Sequence, residues 1–117
     1  MTTVATVSIP NDAKFLATVR QVVTVAAAVV PSRQDDVRLA VTEALALALA
    51  EGSERVEVTI ATGADALAIT IPLNELPAPT DPDEIDVAAL IDALVDAAVP
   101  TPAGLVLTWV IDTPDDQ

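Results

Sequence analysis

The chain has 117 residues, enough for one domain of ordinary size and too few for two. Of these, 52% are hydrophobic, chiefly Ala, Val, Leu and Ile, while the lack of any Cys or His rules out disulfides, thiolate or imidazole metal sites, and Ser-His-Asp, Cys-His or His-metal catalysis. A net charge of −13 sets a repulsive field against direct binding to nucleic acid or an anionic membrane.

The charge is unevenly placed. Lys14, Arg20, Arg33, Arg38 and Arg55 are all the bases, so residues 1–55 hold five bases against six acids, a net of −1. Residues 56–117 hold twelve acids and no base, a net of −12. Such a half either keeps an Ala-rich protein in solution or recognises a basic partner. The start, Met1-Thr2-Thr3-Val4, lacks the basic residues of a secretory peptide. The apolar runs at 25–30 and 44–50 fall far short of the roughly 20 residues of a membrane span. The expectation is a soluble, cytoplasmic protein.

Residues 4–9, rich in Val, Thr and Ile, read as a strand stopped by Pro10. Asn11 and Asp12 are N-cap candidates for a helix running to about Val30, with Phe15, Leu16, Val19, Val22, Val23 and Ala26 on one stripe. Pro31 ends it, and Ser32 with Asp35 resembles a capping box for a second helix at roughly 33–51. That helix has Val37, Val41, Ala44, Leu45 and Ala48 on one face, but Leu39, Ala46, Leu47 and Leu49 spread apolar groups around the rest. A helix apolar nearly all round is normally covered on more than one side, which places Glu43 deep among hydrophobic groups. There it would have a raised pKa, or a partner in Arg38 or Arg20.

Gly52 fits a helix C-terminus, and residues 55–61 and 66–71 read as a hairpin with Val56, Val58 and Ile60 on the covered face. Four prolines stiffen 72–85. A third helix is expected at about 86–95, a short strand near 96–99, a turn at 100–104 and a last strand at 105–111. Residues 1–112 thus form one domain, and 113–117 a frayed polar tail. The order β-α-α-β-β-α-β-β predicts an α+β two-layer sandwich, a mixed sheet of about five strands with three helices on one face.

Ile9-Pro10, the amphipathic helix after it, and the run Asp35-Asp36-Val37-Arg38-Leu39-Ala40-Val41-Thr42-Glu43-Ala44 resemble the start of the anti-sigma-factor serine kinases, members of the GHKL superfamily with a histidine-kinase-like ATPase fold. Those proteins carry a hydrophobic-Ala-Val-Ser/Thr-Glu-Ala run on the second helix. More weakly, Leu94-Val95-Asp96 and Leu105-Val106-Leu107-Thr108 are similar to the closing helix and hairpin. The resemblance implies a bacterial regulator of transcription that forms dimers. It also implies an ATP site built from a Glu-x-x-x-Asn box, an Asp-x-Gly-x-Gly box and a glycine-rich phosphate loop.

This chain departs from all three boxes. Glu43 matches, but Leu47 stands in the Asn position and offers no oxygen to Mg²⁺. Pro72-Leu73-Asn74-Glu75-Leu76-Pro77 has no glycine, and Thr80-Asp81-Pro82-Asp83-Glu84 would repel phosphate. The implied protein is therefore a pseudokinase with no cofactor, no metal and no catalytic residue, Glu43 being a relic. It would bind a sigma factor or an anti-sigma antagonist, with Leu39, Leu47, Leu49, Leu73, Leu76 and Trp109 as candidate interface. The vacated pocket would be covered by residues 72–85 or by a second copy. Trp109 itself reads as core ahead of an edge anchor for a partner, and the acids Asp81, Asp83, Glu84 and Asp86 as a solvated loop rather than a Ca²⁺ site. The alternatives are a divergent serine kinase working through Glu43 and an acidic nucleic-acid mimic.

Overall fold

A computed structural model describes residues 2–73, 82–83 and 86–111. In chain order these form β1 (Thr2–Pro10), α1 (Leu16–Ala26), α2 (Gln34–Ala50), β2 (Arg55–Thr62), β3 (Ala66–Ile71), α3 (Val87–Leu94), β4 (Ala97–Thr101) and β5 (Gly104–Val110). The fold is α+β, with one five-stranded open sheet in the order β1-β2-β3-β5-β4.

Every neighbouring pair of strands is antiparallel, so the sheet is not the mixed one expected from the sequence. Two features of connectivity explain it. α1 and α2 make two passes between β1 and β2, which returns the chain to the end it left. α3 does carry the chain from β3 to a strand of the same direction, β4, but β5 folds back and inserts between them. Parallel strands therefore never become neighbours.

Local chemistry sets most boundaries. Asp12 caps a short 3₁₀ turn at Ala13–Phe15, accepting a hydrogen bond from the Lys14 N–H at 3.0 Å, and α1 starts from that turn. Asn11 does something else: its Nδ2 donates to the carbonyls of Leu49 (3.0 Å) and Ser53 (2.6 Å), tying the end of β1 to the exit of α2. The first helix does not run unbroken to Val30. It tightens into a 3₁₀ turn at Ala27–Val29 because Val30 precedes Pro31 and is held out of helical geometry at φ −127°, ψ 66°. The expected capping box is absent as well. Arg33 is the N-cap of α2 with no side-chain cap bond, Asp35 pairs with Arg38, and Asp36 pairs with Arg33. Both acids still lie in the first turn, where they complement the macrodipole.

Gly52 closes α2 at φ +84°, its N–H donating to the Leu49 carbonyl at 3.2 Å. Asp86 caps α3 through the Ala89 N–H at 3.1 Å. The last hairpin is tighter than the prolines imply. β4 includes Pro100 and Thr101, and the turn is only Pro102-Ala103, with Thr101 paired to Gly104. Proline is tolerated there because β4 is an edge strand.

The buried residues make one cluster. Val56, Val58 and Ile60 of β2, Leu67, Ile69 and Ile71 of β3, and Leu105, Leu107 and Trp109 of β5 meet Val19 and Val23 of α1, Val41 and Leu45 of α2, and Ile91 of α3. Register puts the alternate strand residues on the opposite face of the sheet. One cross-strand row there runs Thr3, Ala61, Ala68, Thr108, Ala97.

Candidate functional site

Helix α2 carries the residues on which the nucleotide-site question turns. Leu39, Glu43 and Leu47 are four residues apart and share one stripe, at the margin of the buried face made by Val37, Ala40, Val41, Ala44, Leu45 and Ala48. Leu39 is 43% exposed, while Glu43 and Leu47 are half-buried. Glu43 is thus not the deeply buried carboxylate that the apolar pattern of α2 implies, because the stripe turns away from the core at that point. Neither expected arginine pairs with it. Arg38 pairs with Asp35, and Arg20 faces outward from α1.

The six candidate interface residues do not form one patch. Leu39 is open to solvent, whereas Leu47 and Leu49 are half-buried against the core from the two flanks of α2. Leu73, directly after β3, is only 2% exposed, and Trp109 is fully buried, so both belong to the core rather than to a surface. Burial of Leu73 also means that the chain leaving β3 turns inward where the resemblance expects a glycine box. Leu76 lies outside the described residues, as do Ile85, Asp81, Glu84 and the tail at 113–117. Of the acidic loop, Asp86 is committed to capping α3.

An ionic clasp that sequence reading missed lies at the other end of α2. Arg33 reaches three acceptors: Nε to Asp36 Oδ2 at 2.7 Å, Nη1 to Asp96 Oδ1 at 3.1 Å, and Nη2 to the Leu94 carbonyl at 3.1 Å. Asp96 in turn accepts the Val110 N–H at 2.7 Å. The Leu94 carbonyl also receives the indole N–H of Trp109 at 2.8 Å. This holds the start of α2 to the junction of α3 with β4 and to the end of β5. The bond to Asp36, then that to Asp96, raises the Arg33 pKa above its ordinary value. The Val110 N–H holds the Asp96 carboxyl below the usual carboxylate range; burial opposes it, and Arg33 adds to the lowering. No periodicity signals such a contact, since Arg33 and Asp96 are 63 residues apart.

Among the described residues no group of three acids lies close enough to hold a metal ion. A shallow, open hollow of about 480 Å³ sits on the outer face of α1, lined by Ala17, Arg20, Gln21, Thr24 and Val25. Its described lining comes from a single helix, without the enclosure or converging polar groups of a small-molecule site. No helix is long and apolar enough to cross a membrane. In comparisons with known proteins, no family model and no curated protein matches the chain.

Proposed function

We propose that the chain is a non-catalytic regulatory protein with a two-layer, histidine-kinase-like fold, acting in the cytoplasm by binding a sigma factor or an anti-sigma antagonist without ATP. The observation that carries the reading is the chemistry of α2 and the segment after β3. The helix bearing Glu43 places Leu47, half-buried, where the resemblance calls for a Mg²⁺ ligand. Beyond β3 the chain sends Leu73 into the core. A hydrocarbon at both points leaves protein–protein contact as the activity that the resemblance still allows.

A thermal melt with and without saturating Mg-ATP or Mg-ADP tests the loss of the nucleotide site. A ligand at about 100 times its dissociation constant adds about 2.7 kcal/mol, a rise on the order of 10 °C for a domain of this length. The expected shift is zero, and a clear rise would put the serine-kinase reading first, with Glu43→Gln as its next test. Direct titration against purified sigma factors and their antagonists tests the partner. Binding that vanishes between low and moderate salt would instead favour the nucleic-acid mimic, whose contact would be wholly ionic.

A further inference from the structure

Strand β1 is an edge of the sheet: it pairs with β2, and among the described residues no strand pairs with its other side. The direction of its backbone groups follows from the register. The Asn11 N–H donates to the Glu54 carbonyl at 3.0 Å, and Pro10 faces Arg55 in the next position. Antiparallel pairs alternate, so Ile9/Val56 and Val7/Val58 are hydrogen-bonded pairs, whereas Ser8/Glu57 and Thr6/Thr59 are not. Thr6 and Ser8 therefore turn their N–H and C=O groups outward. A bulge leaves Val4 out of the register, and the Pro10 carbonyl already accepts the Asp12 N–H at 2.8 Å, which limits the open stretch to residues 5–9.

The inner side of this edge is incompletely covered. Val56, Val58 and Ile60 of β2 are at most 1% exposed. Val7 and Ala5, opposite Val58 and Ile60 on the same face, stay half-buried. The helices thus cover β2 and stop short of β1. Charge marks the other side of the strand. Arg55 bends over it, Nε donating to Ser8 Oγ at 3.0 Å and Nη2 to the Ser8 carbonyl at 3.2 Å. Among the described residues Arg55 has no carboxylate within ion-pair distance, unlike Arg33 and Arg38.

The geometry points to β1 as the docking edge for an extended segment of a partner protein, added as one more strand, with apolar residues at alternate positions and one carboxylate. Its inward side chains cover Val7 and Ala5. Its main chain bonds to Thr6 and Ser8, and its N–H displaces Arg55 from the Ser8 carbonyl, which frees the guanidinium for the carboxylate. One acid is what the edge accepts, since the exposed Glu57 opposite Ser8 repels a second. Up to four main-chain bonds make a weak contact, with a dissociation constant on the order of 0.1–1 mM. The inference takes from the regulatory reading only that the partner is a protein. Its probe is a peptide, so the partner titration and this test can fail separately.

Amide hydrogen exchange of the full chain, read by NMR, is the test, in about 0.15 M salt so that carboxylates beyond roughly 8 Å are screened. Without peptide, the Thr6 and Ser8 amides should exchange at least about tenfold faster than those of Val7 and Ile9. The probe is a capped nonapeptide that alternates valine with threonine and carries one central aspartate. At about 2 mM it should slow the Thr6 and Ser8 amides roughly 3- to 20-fold and leave Val7 and Ile9 unchanged. Thr6→Pro removes one outward N–H at an edge position that tolerates proline, so it should abolish the effect with the circular dichroism spectrum unchanged. Asparagine for the peptide's aspartate should weaken binding about two- to fivefold, a difference that vanishes in Arg55→Gln. The wild-type and Arg55→Gln arms decide without the proline variant. Thr6 and Ser8 amides already protected without peptide overturn the proposal, because the chain itself or a second copy then fills the edge. So do unchanged rates at about 2 mM peptide, or a lysine peptide that binds as well as the aspartate one. Binding that survives Thr6→Pro, or an aspartate preference that survives Arg55→Gln, overturns it equally.

Discussion

Asp96→Asn keeps the outline of the side chain and removes its charge, which makes it a direct probe of the clasp between α2 and the end of β5. Asp96 loses an ionised acceptor for the Val110 N–H at 2.7 Å and half of an ion pair with Arg33 at 3.1 Å. The pair is open to water, with side chains 29% and 35% exposed, so its share is about 0.5 kcal/mol. Exchanging a charged for a neutral acceptor at the backbone N–H costs about another 0.5–1 kcal/mol. The expected loss at neutral pH is thus about 1–1.5 kcal/mol, or a midpoint lower by about 5 °C. The carboxyl is held below its ordinary value in the folded state, so its contribution is full above the unfolded pKa near 3.9 and fades as pH falls through the lower folded value. Urea melts of both proteins should therefore differ by a constant amount from about pH 8 to pH 5, with the gap closing below about pH 4. A gap that persists undiminished at about pH 3, or no gap at neutral pH, refutes the reasoning.

Gly104 and Gly52 should respond differently to alanine. A Cβ on Gly104 (φ +136°) would lie 2.2 Å from the Ile71 carbonyl oxygen, so Gly104→Ala must prise β5 from β3 and should cost about 2–4 kcal/mol by chemical denaturation. At Gly52 (φ +84°) nothing lies within 4 Å, so Gly52→Ala should cost only the roughly 1–2 kcal/mol of left-handed backbone. Trp109→Phe removes a buried indole donor but leaves Arg33 on the Leu94 carbonyl, for an expected loss of about 1–2 kcal/mol. Trp109→Ala should lose about 3–5 kcal/mol, both read from melts followed by circular dichroism. Asn11→Ala should cost about 1–2 kcal/mol and speed amide exchange selectively around Gly52 and Ser53, where its two bonds converge.

Elements with strong periodicity were legible. The inward stripe of α1 at Val19 and Val23, the alternation of Val56, Val58 and Ile60, and Gly52 at the end of α2 all follow from side-chain period or backbone freedom, which are local properties. What the sequence hid is tertiary. The insertion of β5 between β3 and β4, which makes the sheet wholly antiparallel, depends on a strand order that no local pattern encodes. The same holds for Arg33: it reads as one base before a helix, yet it finds Asp96 across 63 residues. Asp35, read as the partner of Ser32 in a capping box, pairs instead with Arg38 because a charged donor outcompetes a backbone N–H. At the candidate site, Leu73 is core where the sequence offers it as interface, while Trp109, offered as interface but favoured as core, is core. Apolar character does not say which of two sides is covered.

The apolar circumference of α2 carries the functional argument. Taken alone it demands a cover beyond the sheet, either a lid or a partner. The fold meets most of that demand internally: Leu47 and Leu49 pack against the core from opposite flanks, and Leu39 with the methyls of Ala46 and Ala50 is what stays in water. So small a remnant stabilises little association on its own, since one Leu side chain buries at most about 1.5–3 kcal/mol and binding must first overcome lost rotational and translational freedom. Val99 and Val110, at 51% and 56% exposure, are further exposed apolar groups among the described residues. A partner that recognises α2 must therefore bring polar contacts to Glu43 and its neighbours. Added salt should weaken such an ionic contact near α2, which a titration of the partner at low and moderate ionic strength would read directly.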